Sequence, residues 1–356
     1  MKKPKYISCK DLEKSLFLAP SELRACCQRF FHNGKMRGDA NLIKIEKNES
    51  PTIKEIVKAR EKIFSEIQNK KSESCTGCHH LYETDNKPNF NTGITYLSVE
   101  QHTFCNLRCS YCSDMFYGGK KPNYNVTNFV KTLSQEGYFK NLQQVVWGGG
   151  EPTLDKSFEI LVKEINSHTN PEIYHRIFTN SVRYSPALAK FLKEGLVKIV
   201  TSVDAGTEET FKKVRGRSKF HEVFQNLKEY SKINSNKVTI KYILTDENKE
   251  ENELDNFVNT CVQYDLQNCA FQISMDYKSE EIELDTIKKI SFLVGQLKKS
   301  NIKKIFCDDH IARRFKTLSV EQKTELEKYV EQKNIKHVII NNQNIKNINI
   351  YGMGKI

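Results

Sequence analysis

Phe104-Cys105-Asn106-Leu107-Arg108-Cys109-Ser110-Tyr111-Cys112 sets three thiols in one short loop, spaced C-x3-C-x2-C. A structural zinc site takes four ligands, usually as two separated pairs. A closed cubane iron–sulfur cluster has four irons and takes four thiolates. Three cysteines leave one iron open, and an open iron can bind a substrate or cofactor. The donor set is that of a catalytic cluster, with Cys105, Cys109 and Cys112 as its ligands.

The rest of the chain is compatible with an intracellular metalloenzyme. Its 356 residues suffice for one large α/β domain with smaller attachments. No apolar run approaches the ~20 residues of a membrane span. The basic N-terminus, MKKPKYISCK, is not followed by an apolar signal core. A cytoplasmic location with no membrane partner is therefore expected. Eleven cysteines in such a chain point to metal or redox chemistry rather than disulfides. The net charge of +12 would suit an anionic partner. Yet only 11 of the 56 basic residues are Arg, and the lysines are scattered without a concentrated tract. Phosphate and base recognition enriches Arg, so the charge reads as solvated surface and nucleic acid is not an expected partner.

From residue 94 onward strand and helix signals alternate. Strands are expected at Ile94–Gln101, Gln143–Trp147, Tyr174–Phe178, Lys198–Val203, Val238–Leu244 and Ala270–Met275. Helices are expected at Val126–Gln135, Phe158–Asn166, Pro186–Lys193, near 207–214 and 220–232, at Asn252–Tyr264 and at Ile282–Lys298. Six β/α repeats argue for a parallel sheet. A partial barrel and a doubly wound sheet both put function at the C-terminal ends of the strands. Residues 1–90 read as an irregular, cysteine-containing extension around one helix near Thr52–Lys70. Residues 91–280 read as the core and 281–356 as a small C-terminal α/β extension.

Polar motifs fall at those strand ends. Trp147-Gly148-Gly149-Gly150-Glu151 follows the second strand. Its glycines allow close backbone approach to a ligand, and its carboxylate suits an ammonium group, though a glycine-rich βα turn alone would look the same. Thr179-Asn180-Ser181 follows the third strand, and Ser202-Val203-Asp204-Ala205-Gly206-Thr207 the fourth. Short polar side chains there suit hydrogen bonds to hydroxyls and a carboxylate, while Thr207 also suits a helix N-cap.

Together the cysteine loop, the GGE segment and the run SVDAGTEETFKKVRG at 202–216 resemble the radical S-adenosylmethionine (SAM) enzymes, over about residues 94–276. The resemblance implies a partial (β/α)6 barrel. It implies a [4Fe–4S] cluster on Cys105, Cys109 and Cys112, with SAM on the open iron. Gly149, Gly150 and Glu151 would receive the SAM amino group. Asn180, Ser202 and Asp204 would lie near the ribose, Arg215 would reach the carboxylate or sit at a helix end, and Tyr111 would pack on the cluster or the adenine. Reductive cleavage would give methionine and a 5′-deoxyadenosyl radical that takes hydrogen from a substrate. An electron donor such as flavodoxin or ferredoxin is implied. The substrate would be a peptide or protein, or a carbohydrate- or nucleotide-linked precursor. A non-catalytic iron–sulfur carrier or sensor would explain the cysteines but not the GGE and SVD segments. A zinc-stabilised nucleic-acid-binding module is a further rival.

Five more cysteines precede the core: Cys9, Cys26, Cys27, Cys75 and Cys78. Cys75-Thr76-Gly77-Cys78 is a C-x2-C pair followed by His79 and His80. A second iron–sulfur cluster, a zinc site using His79 or His80, and plain buried thiols all fit. SPASM and twitch auxiliary segments usually follow the barrel, where only Cys261, Cys269 and Cys307 occur here; an auxiliary cluster would be N-terminal. Cys26 and Cys27 are adjacent, so extended backbone would send them opposite ways, leaving one of them to join Cys75, Cys78 and Cys9. The final residues, Asn347–Ile356, read as a strand entering a G-x-G turn, which would also suit the front part of a longer architecture.

Overall fold

Short apolar runs and amphipathic repeats resolve into strands and helices much as their periods require. The computed structural model describes residues 5–113, 117–167, 169, 173–276 and 282–335. The strands are β1 (Tyr6–Ser8), β2 (Ser15–Leu18), β3 (Glu22–Arg24), β4 (Arg29–His32), β5 (Lys35–Gly38), β6 (Asn41–Lys44), β7 (Tyr82–Thr84), β8 (Tyr96–Val99), β9 (Gln144–Trp147), β10 (Tyr174–Phe178), β11 (Val197–Ser202), β12 (Val238–Leu244), β13 (Ala270–Met275) and β14 (Ile305–Cys307). The helices are α1 (Lys10–Lys14), α2 (Ile53–Gln68), α3 (Val126–Gln135), α4 (Phe158–Ser167), α5 (Pro186–Lys193), α6 (Glu208–Arg215), α7 (Phe220–Asn234), α8 (Glu251–Gln263), α9 (Leu284–Lys299), α10 (Asp309–Lys316) and α11 (Val320–Gln332). Two compact units divide the chain: Met1–Cys105 with Asp114–Phe178, and Asn106–Ser113 with Thr179–Ile356.

In the first unit the strand order is β10-β9-β8-β2-β3-β6. β8, β9 and β10 are parallel, with Leu97 and His175 both opposite Val145. Every residue of β8 and β9 is buried, as expected of parallel strands covered on both faces. α3 is capped by Asn125, whose side chain accepts from Asn128 N at 3.0 Å. It buries Val126, Phe129, Val130 and Leu133, the i, i+3, i+4, i+7 stripe of a packed helix. Trp147 is buried against Phe158 of α4 and donates from Nε1 to His175 Nδ1 at 2.9 Å.

The N-terminal region corrects one expectation. Residues 1–90 are not irregular around a single helix. β2 lies parallel beside β8, with Leu16 opposite Leu97, and β3 and β6 follow antiparallel. The expected boundary at residue 90 therefore cuts through a hydrogen-bonded strand pair. These strands are three or four residues long, too short for alternation to register, and β2 is wholly buried. The expected helix is α2, with a Thr52/Glu55 capping box and Ile56, Val57, Ile63, Phe64 and Ile67 buried.

In the second unit the order is β14-β13-β12-β11, all parallel. β14 was not expected; at three residues it carries no period, yet it continues the sheet beside β13. Residues 336–356, with the G-x-G turn, lie outside the described residues. α6 begins at Thr207, whose side chain accepts from Thr210 N, and ends at Gly216 with φ 76°. A Cβ there would lie 2.5 Å from Arg108 O, so this glycine serves both the left-handed helix end and close approach of the cysteine loop. No helix of the described residues is long and apolar enough to cross a membrane.

Candidate active site

The stretch Asn106–Ser113 is fastened to the end of α6. Arg108 N donates to Arg215 O at 3.1 Å and Ser110 N to Val214 O at 2.8 Å. Cys112 N turns back onto Cys109 O at 3.0 Å. The Tyr111 hydroxyl donates to Asp204 Oδ2 at 2.6 Å, and Arg215 Nη1 reaches the same oxygen at 2.9 Å and also bonds the Tyr111 hydroxyl. Ile243 N donates to Asp204 Oδ1 at 2.7 Å, and Asn248 Nδ2 to Asp204 O at 2.9 Å. These bonds hold Asp204 at φ 60°, a conformation few non-glycine residues adopt. Burial pushes the Asp204 carboxyl up, opposed first by the Arg215 guanidinium and then by the Tyr111 hydroxyl and the Ile243 N–H. Burial likewise raises the Cys109 thiol, opposed by Arg215.

The resemblance put Ser202 and Asp204 near the ribose and left Arg215 either reaching the SAM carboxylate or sitting at a helix end. Here Asp204 is fully buried and both its oxygens accept bonds from the protein. Arg215 is committed to Asp204 and Tyr111. The pair bonds the Tyr111 hydroxyl of the cysteine loop.

Ser110 and Tyr111 form one wall of a cavity of about 240 Å³, with Leu244 and Thr245 after β12 and Met275 at the end of β13 on its other sides. Ser110 Oγ donates to Glu247 Oε2 at 2.7 Å across this rim. Asn180 donates from Nδ2 to Asn106 Oδ1 at 2.6 Å and accepts from Val182 N at 3.0 Å. Ser202 is half-buried at the end of β11, in register with Lys241.

The GGE segment belongs to the first unit. Gly150 N donates to His102 O at 3.1 Å, and Glu151 N to Phe104 O at 2.6 Å. A Cβ on Gly150 would meet Phe104 O at 2.2 Å, and Gly149 holds φ 82°. The backbone beside Cys105 and the GGE turn thus fit only without side chains between them. Glu151 is 2% exposed, and its Oε1 accepts from Thr153 N at 3.2 Å and Thr153 Oγ1 at 2.6 Å. The carboxylate expected to meet the ammonium is held in place locally.

Cys105, Cys109 and Cys112 are half-buried; Cys105 falls in the first unit and the other two in the second. Among the described residues no three His, Cys, Asp or Glu side chains are closed onto one metal position. The donor chemistry nevertheless suits an open-iron cubane: three soft thiols within eight residues, on a loop pinned through Arg108, Ser110 and Tyr111.

The N-terminal cysteines separate into two groups. Cys9, Cys26, Cys75 and Cys78 line one small cavity, with His80 also on its wall. Burial pushes Cys26 up to about 12 and raises Cys9 and Cys75 as well. Cys27 instead faces Glu100, Arg24 and Asp39.

Sequence reading missed Asn248 and Glu253. Glu253 accepts from the N–H groups of Gly206 and Thr207 and from Thr207 Oγ1, fixing the turn after β11. Both lie in a polar stretch, DENKEENELD, where nothing distinguishes them from surface residues.

Residues 99–258 match the family model described as the Radical SAM superfamily. Curated relatives include a GTP 3',8-cyclase of Haemophilus influenzae, 28% identical over 46% of this chain and 48% of that protein. Another, from Petrotoga mobilis, is 27% identical over 50% of this chain and 55% of its own. The chain thus spans about half the length of the curated relatives it matches. Streptococcus suis SuiB bound to S-adenosylmethionine superposes with a TM-score of 0.52 at 12% identity, over 76% of this chain and 59% of that one. SuiB bound to its precursor peptide SuiA gives 0.51 at 12% identity, over 91% and 78%. These likenesses show the α/β fold.

Proposed function

We propose, from the match of residues 99–258 to the radical SAM family model, that the chain is a radical SAM enzyme that cleaves SAM reductively and abstracts hydrogen from a substrate. The observation that carries this reading is the cavity of about 240 Å³ walled by Ser110 and Tyr111 of the cysteine loop and by the C-terminal ends of β12 and β13. Ligand sites in parallel α/β sheets lie at such strand ends. Cys105, Cys109 and Cys112 would hold a [4Fe–4S] cluster and leave one iron for SAM. When bound, the cluster supplies the electron that splits SAM into methionine and a 5′-deoxyadenosyl radical.

The chain's own residues bind and orient. Tyr111, fixed through its hydroxyl by Asp204 and Arg215, keeps the loop in one conformation beside the cavity. Gly149, Gly150 and Glu151 receive the SAM amino group, with Thr153 holding the carboxylate in place. Asn180 holds Asn106, and so the start of the loop. A flavodoxin or ferredoxin supplies the electron. The substrate is a peptide or protein, or a carbohydrate- or nucleotide-linked precursor. The names of the curated relatives favour the nucleotide-linked class.

Anaerobically reconstituted protein, reduced with dithionite, should convert SAM to 5′-deoxyadenosine. Replacing Cys105, Cys109 and Cys112 together by Ala should abolish the conversion; persistence in that variant overturns the assignment. Deuterium passing from labelled GTP into 5′-deoxyadenosine would assign the nucleotide class, and its absence with GTP would turn the search to peptides.

A further inference from the structure

We propose that Cys9, Cys26, Cys75 and Cys78 form a tetrahedral Zn²⁺ site in the first unit, using none of the C-x3-C-x2-C thiols. Three distant segments bring these four residues to the wall of a single cavity of about 20 Å³. That is room for about one water-sized occupant. A cubane of eight iron and sulfide atoms would need far wider separation of the four thiols. Four sulfurs about 2.3 Å from one zinc ion need a much smaller opening.

Plain apolar packing is the simpler account of buried thiols, and Cys9 and Cys75 do sit in a cluster with Leu12, Ala25 and Ala40. It does not account for the donors aimed at the sulfurs. Leu12 N donates to Cys9 Sγ at 3.3 Å, a bond that also caps α1. The N–H groups of Ala40 and Gln28 bond the Cys26 sulfur, and the Ser72 side chain bonds that of Cys75.

The local fold is also shaped for a C-x2-C knuckle. Cys78 N closes onto Cys75 O at 3.0 Å, with Gly77 between them at φ 79°. A Cβ on Gly77 would lie 2.1 Å from His32 Nδ1, so the β4–β5 hairpin sits directly on the knuckle. Arg37 Nη1 donates to Glu73 O at 2.6 Å from the same hairpin. The pieces so joined are β4, β5 and residues 72–81, which contain no helix or strand. A metal cross-link would order segments too short to hold themselves. The sulfurs are not drawn to ligand distance here; side-chain rotation into the cavity completes the site. His80 also lines the cavity wall. Cys27 faces away.

The test uses the full chain with Cys105, Cys109 and Cys112 replaced by Ala, so that the catalytic loop contributes no iron. Elemental analysis should find about one zinc per chain. Adding Cys75→Ser and Cys78→Ser should remove it, while adding Cys27→Ser should not. X-ray absorption at the zinc edge of the wild-type chain should show four sulfur neighbours at about 2.3 Å; this reading holds even where a variant fails to fold. About four irons in the triple variant would replace zinc by a second cluster. A wild-type chain without zinc, or zinc with no sulfur shell, would overturn the site outright.

Discussion

Arg215 Nη1 lies 2.9 Å from Asp204 Oδ2, and the two side chains are 6% and 0% exposed. A buried pair of this kind adds little net stability over an apolar replacement of both members, but breaking it by removing one is costly. Its value here is placement. The same carboxylate oxygen takes the Tyr111 hydroxyl, one residue before Cys112.

Arg215→Met should therefore act on the loop as well as on stability. It leaves the Asp204 carboxylate buried without its cation, a loss of about 3–5 kcal/mol in urea unfolding. Tyr111→Phe removes the hydroxyl's bonds to Asp204 and Arg215 but leaves the ion pair intact, and should cost about 1.5–3 kcal/mol. Asp204→Asn with Arg215→Met should be less damaging than the sum of the single changes. Additive losses would show that the pair is not coupled.

Glu151→Ala tests the amino-group site. Loss of one charge-assisted bond should weaken SAM binding by about 1.5–3 kcal/mol. The iron content of reconstituted protein should stay unchanged. Unaltered SAM affinity by calorimetry would remove Glu151 from the binding residues.

Gly150→Ala places a methyl 2.2 Å from Phe104 O, a backbone atom that cannot swing aside. Gly148→Ala meets nothing nearer than Glu100 Cγ at 3.8 Å. The first should lower both stability and the yield of iron-loaded protein, because the displaced backbone adjoins Cys105. The second should be close to neutral. Equal behaviour of the two would mean the turn is free to adjust.

How much was legible follows from length and period. β10, β12 and β13 lie where five to seven alternating or apolar residues announce them, and Tyr174–Phe178, Val238–Leu244 and Ala270–Met275 are also the observed bounds. β2, β3, β6 and β14 have three or four residues each and left no readable pattern. The cysteine loop and GGE turn stand out because residue type and spacing mark them. The bonding of Asp204 was not legible, since Tyr111, Arg215 and the Ile243–Asn248 stretch come from three separate segments. Nor could the sequence choose between Cys26 and Cys27; the fold puts Cys26 on the cavity wall that Cys75 also lines, and Cys27 near Arg24.

His175 should give the fold a measurable acid sensitivity. It is fully buried, and burial lowers its pKa from the ordinary 6.5 to about 3. Nδ1 accepts from Trp147 Nε1, so the proton sits on Nε2, 3.1 Å from Asn166 Oδ1. In the unfolded chain the imidazole takes up a proton near pH 6.5, whereas in the fold it stays neutral to about pH 3. The unfolded state thus binds more protons throughout that window, and stability falls as pH drops through it. The contribution is complete above about 6.5 and declines by about 1.4 kcal/mol per unit below it. Between pH 6.5 and 5 the wild-type chain should lose about 2 kcal/mol that His175→Gln does not. Urea unfolding of both chains at the two pH values reads this difference directly. Parallel losses in both would place the acid sensitivity elsewhere.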